Sequence, residues 1–133
     1  MDVWRPDTEV GPSHRGRLTI TADAAGFLRV SCPATADLRW LLAAIDELHH
    51  MTVRRPGIRL LADLSAVIAP PGMTEQLLVG EHAARRLGHL TKVASLVASG
   101  TRSGLSEGVA RKLRLSLRVF TIEAEAIRWL RDE

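Results

Sequence analysis

The sequence predicts an α/β domain built on one mixed, mostly parallel sheet, with elements in the order β-β-α-β-α-β-α-β-α. Three observations lead there. The first apolar residues after the N-terminus alternate with period two, as in a half-buried strand. Beyond them, short apolar runs take turns with stripes of helical period, and strands alternating with helices at short spacing imply right-handed crossovers and a parallel sheet. Finally, 133 residues of which 46% are hydrophobic suffice for one core and not two. Aromatic residues make up only 4%, with no Tyr, so that core must be built from Leu, Val, Ile and Ala.

Residues 1–16 combine Pro6, Gly11, Pro12 and Gly16 without an apolar period, and they read as an arm ahead of a domain spanning 17–133. Leu18, Ile20 and Ala22 then share one face of a strand, opposite Arg17, Thr19 and Thr21. Turn residues follow at 23–26, and 27–31 alternates again, so the two runs form an antiparallel hairpin. Thr35 and Asp37 suit a helix start, after which Leu38, Leu41, Leu42, Ile45 and Leu48 recur on one stripe that continues to Met51.

Pro56 and Gly57 interrupt that helix, and 58–61 leads through Asp63, Leu64 and Ser65 as a buried strand with a polar end. After the rigid loop of Pro70, Pro71 and Gly72, Thr74 can cap a second helix that runs to Leu87, with Gly88 just past it. The nearly continuous run Val93, Ala94, Leu96, Val97, Ala98 suits a central strand covered on both faces. A third helix is expected over about 103–115 and a last strand over 117–120. Thr121 can cap a final helix whose first turn holds Glu123 and Glu125 and whose last turn holds Arg128 and Arg131, the charge order a helix dipole favours.

With the order of elements set out, three stretches carry a family likeness. LLADLSAVIAPPGMTEQL (60–77), AARRL (83–87) and LRVFTIEAEAIRWL (117–130) resemble the SpoIIAA-like small proteins of the STAS superfamily, whose fold is related to the SEC14 (CRAL-TRIO) domains. The likeness runs from about Arg17 to Leu130. It implies a non-catalytic, STAS-like domain of bacterial cytoplasm that acts through protein–protein interaction, and its SEC14 side implies a small apolar, lipid-like ligand. In the regulatory members a Ser in the turn after Asp-Leu-Ser is phosphorylated. The matching turn here, 69–74, contains no Ser, and Thr74 is its only hydroxyl, so the resemblance places any phosphosite at Thr74. Helix capping accounts for the same residue without a kinase.

Other chemistry is thin. Ser65 follows Asp63 in a pattern that puts both on one side with no His nearby in sequence, so local hydrogen bonds to the loop backbone explain the pair better than a nucleophile does. Cys32, the only cysteine, reads as a packed thiol. The five histidines offer no HExxH and no third ligand for His82 and His89, while His49 and His50 suit the C-terminal end of a helix dipole. No catalytic constellation, metal site or cofactor motif emerges.

The turn GTRSGLSEG (100–108) lies between a strand and a helix at the carboxyl edge, where α/β sheets hold ligands. Gly100 lets the backbone approach a ligand, Arg102 brings charge and Ser103 can cap the helix. With Ser65 and Thr74 these form the candidate ligand site, for a small anionic or apolar molecule. A glycine turn with a Ser cap is the competing structural explanation.

The charge of +3 and a pI near 10 invite a nucleic-acid reading, and 105–115, with Arg111, Lys112 and Arg114, supplies a basic helix for a nucleic-acid-binding regulator. Against it, the basic residues are spread along the chain among Asp and Glu, and a helix-turn-helix needs a helix, not a strand, before its turn. The start of the chain lacks the apolar stretch of a signal peptide, and no run is long enough to span a bilayer, so a cytoplasmic location is expected. The exposed edge of the first hairpin invites a homodimer.

Overall fold

The computed structural model describes residues 18–23, 26–55, 57–68, 72–98 and 114–132. Five strands form one sheet in the spatial order of the chain: β1 (Thr19–Ala22), β2 (Leu28–Ser31), β3 (Arg59–Asp63), β4 (Lys92–Leu96) and β5 (Leu117–Phe120). The first pair is antiparallel and every other pair is parallel. Three helices are described: α1 (Leu38–Thr52), α2 (Met73–Leu87) and α3 (Glu123–Arg131).

The hairpin forms as expected, with Ile20 opposite Val30. Its turn closes through Gly26 N donating to Asp23 O at 2.9 Å, and Gly26 sits at φ 96°, a left-handed conformation that glycine enters without a Cβ penalty. Leu18 and Ile20 are buried as the alternation requires, whereas Ala22 at the strand end is exposed.

Register then aligns Ser31, Asp63, Leu96 and Phe120 in one row at the carboxyl edge. Strand residues alternate between two cores. Val30, Leu60, Val93 and Leu117 pack with Trp40, Leu41, Ala44, Ile45 and Leu48 of α1 and Ala83, Ala84 and Leu87 of α2. Phe27, Leu61, Ala94 and Leu96 face the other way, onto Ala126 and Leu130 of α3. The result is a three-layer α/β/α arrangement, and Leu60 and Leu61, adjacent and both buried, show why β3 reads as a continuous apolar run.

Helix starts account for most departures from expectation. Asp37 caps α1, its Oδ1 accepting from Trp40 N at 2.8 Å. Thr74, expected to cap α2, is instead inside the first turn. The cap is Gly72, and Glu75 reaches back to accept from Gly72 N at 3.2 Å, the returning half of a capping box. Thr121 likewise falls outside its expected role, because α3 starts from Ile122, whose carbonyl accepts from Ala126 N.

The α3 terminus is tied down by cations that the sequence pattern does not single out. Lys92 Nζ donates to Trp129 O at 2.7 Å and Asp132 O at 2.6 Å, and Arg59 Nη1 donates to Leu130 O at 2.6 Å. These satisfy carbonyls that no helical amide can reach and oppose the negative end of the helix dipole.

The N-terminal arm and most of the third expected helix lie outside the described residues. At its far end the expectation fails: Arg114 takes φ 73° in a turn and Leu115 is buried in non-helical backbone, so no helix extends through 115. A left-handed Arg is costly and helix-stopping. Within the described residues no helix is long and apolar enough to cross a membrane.

Candidate functional site

At the carboxyl edge β3 ends in Asp63, whose Oδ1 accepts from Ser65 N at 2.9 Å and from Ser65 Oγ at 2.5 Å. An aspartate folding back on the backbone two residues ahead is the local turn that the Asp-x-Ser spacing allows. Arg29 stands beside it, with Nη1 3.8 Å from Asp63 Oδ2 and Nη2 donating to Glu123 Oε2 at 3.1 Å. One guanidinium thereby links β2, β3 and the start of α3.

Ser65 is exposed and its hydroxyl proton is held by a carboxylate. Three of the four described histidines lie at the other end of the molecule. His49 and His50 occupy the last turn of α1 and His89 follows α2, while His82 sits within α2 facing Asp46 at 2.8 Å. Among the described histidines none is hydrogen-bonded to Ser65, whose hydroxyl partner is the Asp63 carboxylate.

The edge loop continues through Val67 and Ile68, where Ile68 N donates to Ala34 O at 3.0 Å and fastens the loop to the segment after β2. Side chains here are apolar and open to solvent: Ile68 is 79% exposed and Met73 71%. Leu77 and Leu78, on the next turn of α2, are exposed as well, and Ile122 stands at the same edge after β5. Of the six exposed large hydrophobics among the described residues, only Val53 lies elsewhere. Thr74 is exposed on the first turn of α2, between Met73 and Glu75.

Of the sequence-nominated ligand residues, the structure therefore brings Ser65 and Thr74 to the same edge. Gly100, Arg102 and Ser103 lie outside the described residues, as does nearly all of the basic stretch 105–115. The apolar patch was missed. Of its helical residues only Leu78 falls off the stripe formed by Gly80, Ala83, Ala84 and Leu87; Met73 and Leu77, seven residues before Gly80 and Ala84, continue that stripe, so helical period does not mark them as exposed. Apolar character alone assigns a leucine to the core, whichever face of its helix it occupies, and that rule runs only one way.

Cys32, beside the edge, is buried, and its thiol is pushed up to about 12 by burial and secondarily by the Asp63 charge. At the opposite end His49 Nδ1 donates to Arg86 O at 2.7 Å, and His89 Nε2 donates to Thr52 Oγ1 at 2.7 Å, the latter hydroxyl passing its proton to Leu48 O at 2.6 Å. The tautomers follow from the carbonyl acceptors. Burial and the neighbouring His49 lower the His89 pKa. No three His, Cys, Asp or Glu among the described residues are grouped to hold a metal ion.

Comparison with protein-family models, curated proteins and solved structures finds no match to this chain.

Proposed function

We propose that the chain is a non-catalytic, STAS-like cytoplasmic domain that works through protein–protein interaction, docking a protein partner on the apolar carboxyl edge formed by residues 64–68 and the first two turns of α2. The single observation that carries the reading is the concentration there of Ile68, Met73, Leu77 and Leu78 in solvent. Apolar side chains scattered singly on a surface need no explanation, but a contiguous group of them marks an interaction site. The mixed sheet, with its antiparallel first pair, is compatible with the STAS resemblance of 60–77 and 117–130.

Thr74 stands inside this surface, so a phosphate there would place about two negative charges among the apolar contacts and beside Glu75, which disfavours docking by desolvation and like-charge repulsion. Capping no longer accounts for this residue, since Gly72 holds the cap position.

The test is site-specific photo-crosslinking in the cells of origin, with the photoreactive residue at Leu77 and, as control, at exposed Arg128 on α3. One defined protein adduct is expected at Leu77 and none at Arg128, with the Leu77 adduct weakened by Met73→Asp. Adducts of equal yield at both positions would remove the carboxyl edge from consideration, and an adduct of twice the chain mass would assign the surface to self-association.

A further inference from the structure

The parallel strands begin at the end of the molecule opposite the apolar edge, and the fold gathers there bases that the sequence disperses. Register pairs Arg59 with Lys92. Thr91 N donates to Ile58 O at 2.9 Å, which joins the loop after α1, carrying Arg54 and Arg55, to the start of β4. Val93 N donates to Ser116 O at 2.8 Å and brings in Arg114, while Lys92 Nζ on Asp132 O brings in Arg131 at the end of α3. These cations follow one another across the start of the sheet, where the described acids are Asp23 in the hairpin turn and Asp132. Farther along α1 and α2, Asp46 and Glu81 are already matched by Arg86 at 3.0 Å and Arg85 at 3.5 Å. Asp63, Glu75 and Glu123 lie at the opposite edge.

Arg54, Arg114 and Arg131 are exposed and form no ion pair among the described residues. A helix dipole accounts for Arg131 in the last turn of α3, but Arg54, Arg59, Lys92 and Arg114 lie outside helices. Two aromatic rings border the band. Phe27 and Trp40 are buried, whereas Phe120 and Trp129 are only partly so and pair with 5.8 Å between ring centres. Cations flank the second ring, Lys92 Nζ at 4.9 Å from its centre and the exposed Arg118 guanidinium at 5.7 Å. Guanidinium forks match phosphate oxygens, and aromatic or guanidinium planes stack on unpaired bases. An anionic membrane fits this end less well, because the exposed large apolar side chains that could enter it lie at the other edge, with Val53 the exception. We propose that this band binds single-stranded nucleic acid, with Arg54, Arg114 and Arg131 taking phosphates and the planes of Trp129 and Arg118 offering a stack for one base. The surface is separate from partner docking at the carboxyl edge, and neither depends on the other.

The test is fluorescence anisotropy of the full chain with a fluorescein-labelled oligothymidylate of about 15 nucleotides. Affinity falls roughly 20- to 50-fold between about 50 and 200 mM salt, as release of counterions from three to four phosphates requires. Arg131→Gln and Arg54→Gln each weaken binding several-fold and lower the log–log salt slope by about 0.7, the loss of one phosphate contact. Arg39→Gln, an equal change of charge at the start of α1, leaves affinity and slope as they were. Trp129→Leu weakens binding about tenfold at unchanged slope, the mark of a lost stack. No binding at low salt, or equal effects of Arg39→Gln and Arg131→Gln, would overturn the proposal. So would polyglutamate of the same charge binding as tightly as the oligonucleotide, or phosphatidylglycerol vesicles binding where the oligonucleotide does not. The salt slope and the comparison of polyanions use the unmodified chain and stand even where Trp129→Leu fails to fold.

Discussion

Cys32 is the residue whose chemistry is most constrained by its surroundings. With its thiol held near 12 and its side chain buried, it stays protonated throughout the physiological range, and the thiolate is the reactive form. Native protein at pH 8 should therefore resist a maleimide or disulfide reagent for as long as it stays folded, and react within minutes in denaturant. Fast labelling of the native protein would contradict a thiol packed beneath the carboxyl edge. His89 makes the opposite kind of prediction. Its pKa is lowered in the folded chain, so as pH falls through the ordinary histidine range near 6.5 the unfolded chain takes up the proton first and stability declines. His89→Gln, which keeps a donor for Thr52, should flatten that decline in denaturant titrations between pH 7 and 5.

Legibility at this scale depended on whether a role was local. Asp37 and the Asp63–Ser65 turn are contacts within three residues, and the spacing declares them. Trp40 fits the stripe of Leu41, Ala44, Ile45 and Leu48, but its place against the sheet and its unmet N–H depend on strands far away in the chain. Thr74 and Thr121 look like caps because each heads a helical pattern. Gly72 and Ile122 take those places because backbone carbonyls close the first turn there, and at α2 Glu75 reaches back to the cap amide.

Among the elements, α1 and α3 are held by different devices and should fail differently. Asp37→Ala removes the side-chain acceptor at the α1 start and should cost about 1 kcal/mol in urea unfolding. At α3 the restraint is tertiary: Lys92 and Arg59 hold carbonyls of its last turn, and Lys92 also lies 4.9 Å from the Trp129 ring centre. Lys92→Met keeps the stem and loses the donors, so amide exchange should accelerate in 128–132 while α1 stays protected. Uniform acceleration across the molecule would show that Lys92 acts on global stability instead. Strand and helix order was readable because apolar period is a local signal. The cations on α3 were not, since Lys92 precedes Trp129 by 37 residues and looks like a strand flank.

For the molecule as a whole, the sheet separates two cores of unequal size, a larger one under α1 and α2 and a smaller one under α3. Leu61, completely buried on the α3 side, should cost about 2–5 kcal/mol as Leu61→Ala. Leu77→Asp, on the exposed edge, should change stability by no more than about 0.5 kcal/mol. That contrast separates side chains kept for folding from those assigned to a partner. Fold class was legible because five strands and their crossovers each leave a pattern. The interaction edge was not, because exposure of a Leu is a property of the assembled layers.

The most direct measurement is hydrogen–deuterium exchange of the full chain, alone and bound to the protein captured at Leu77. Docking at the carboxyl edge predicts added protection in 64–68 and 72–80, with α3 and the β1 edge unchanged. Protection confined to α3 or to β1, with the carboxyl edge exchanging as in the free chain, would contradict it.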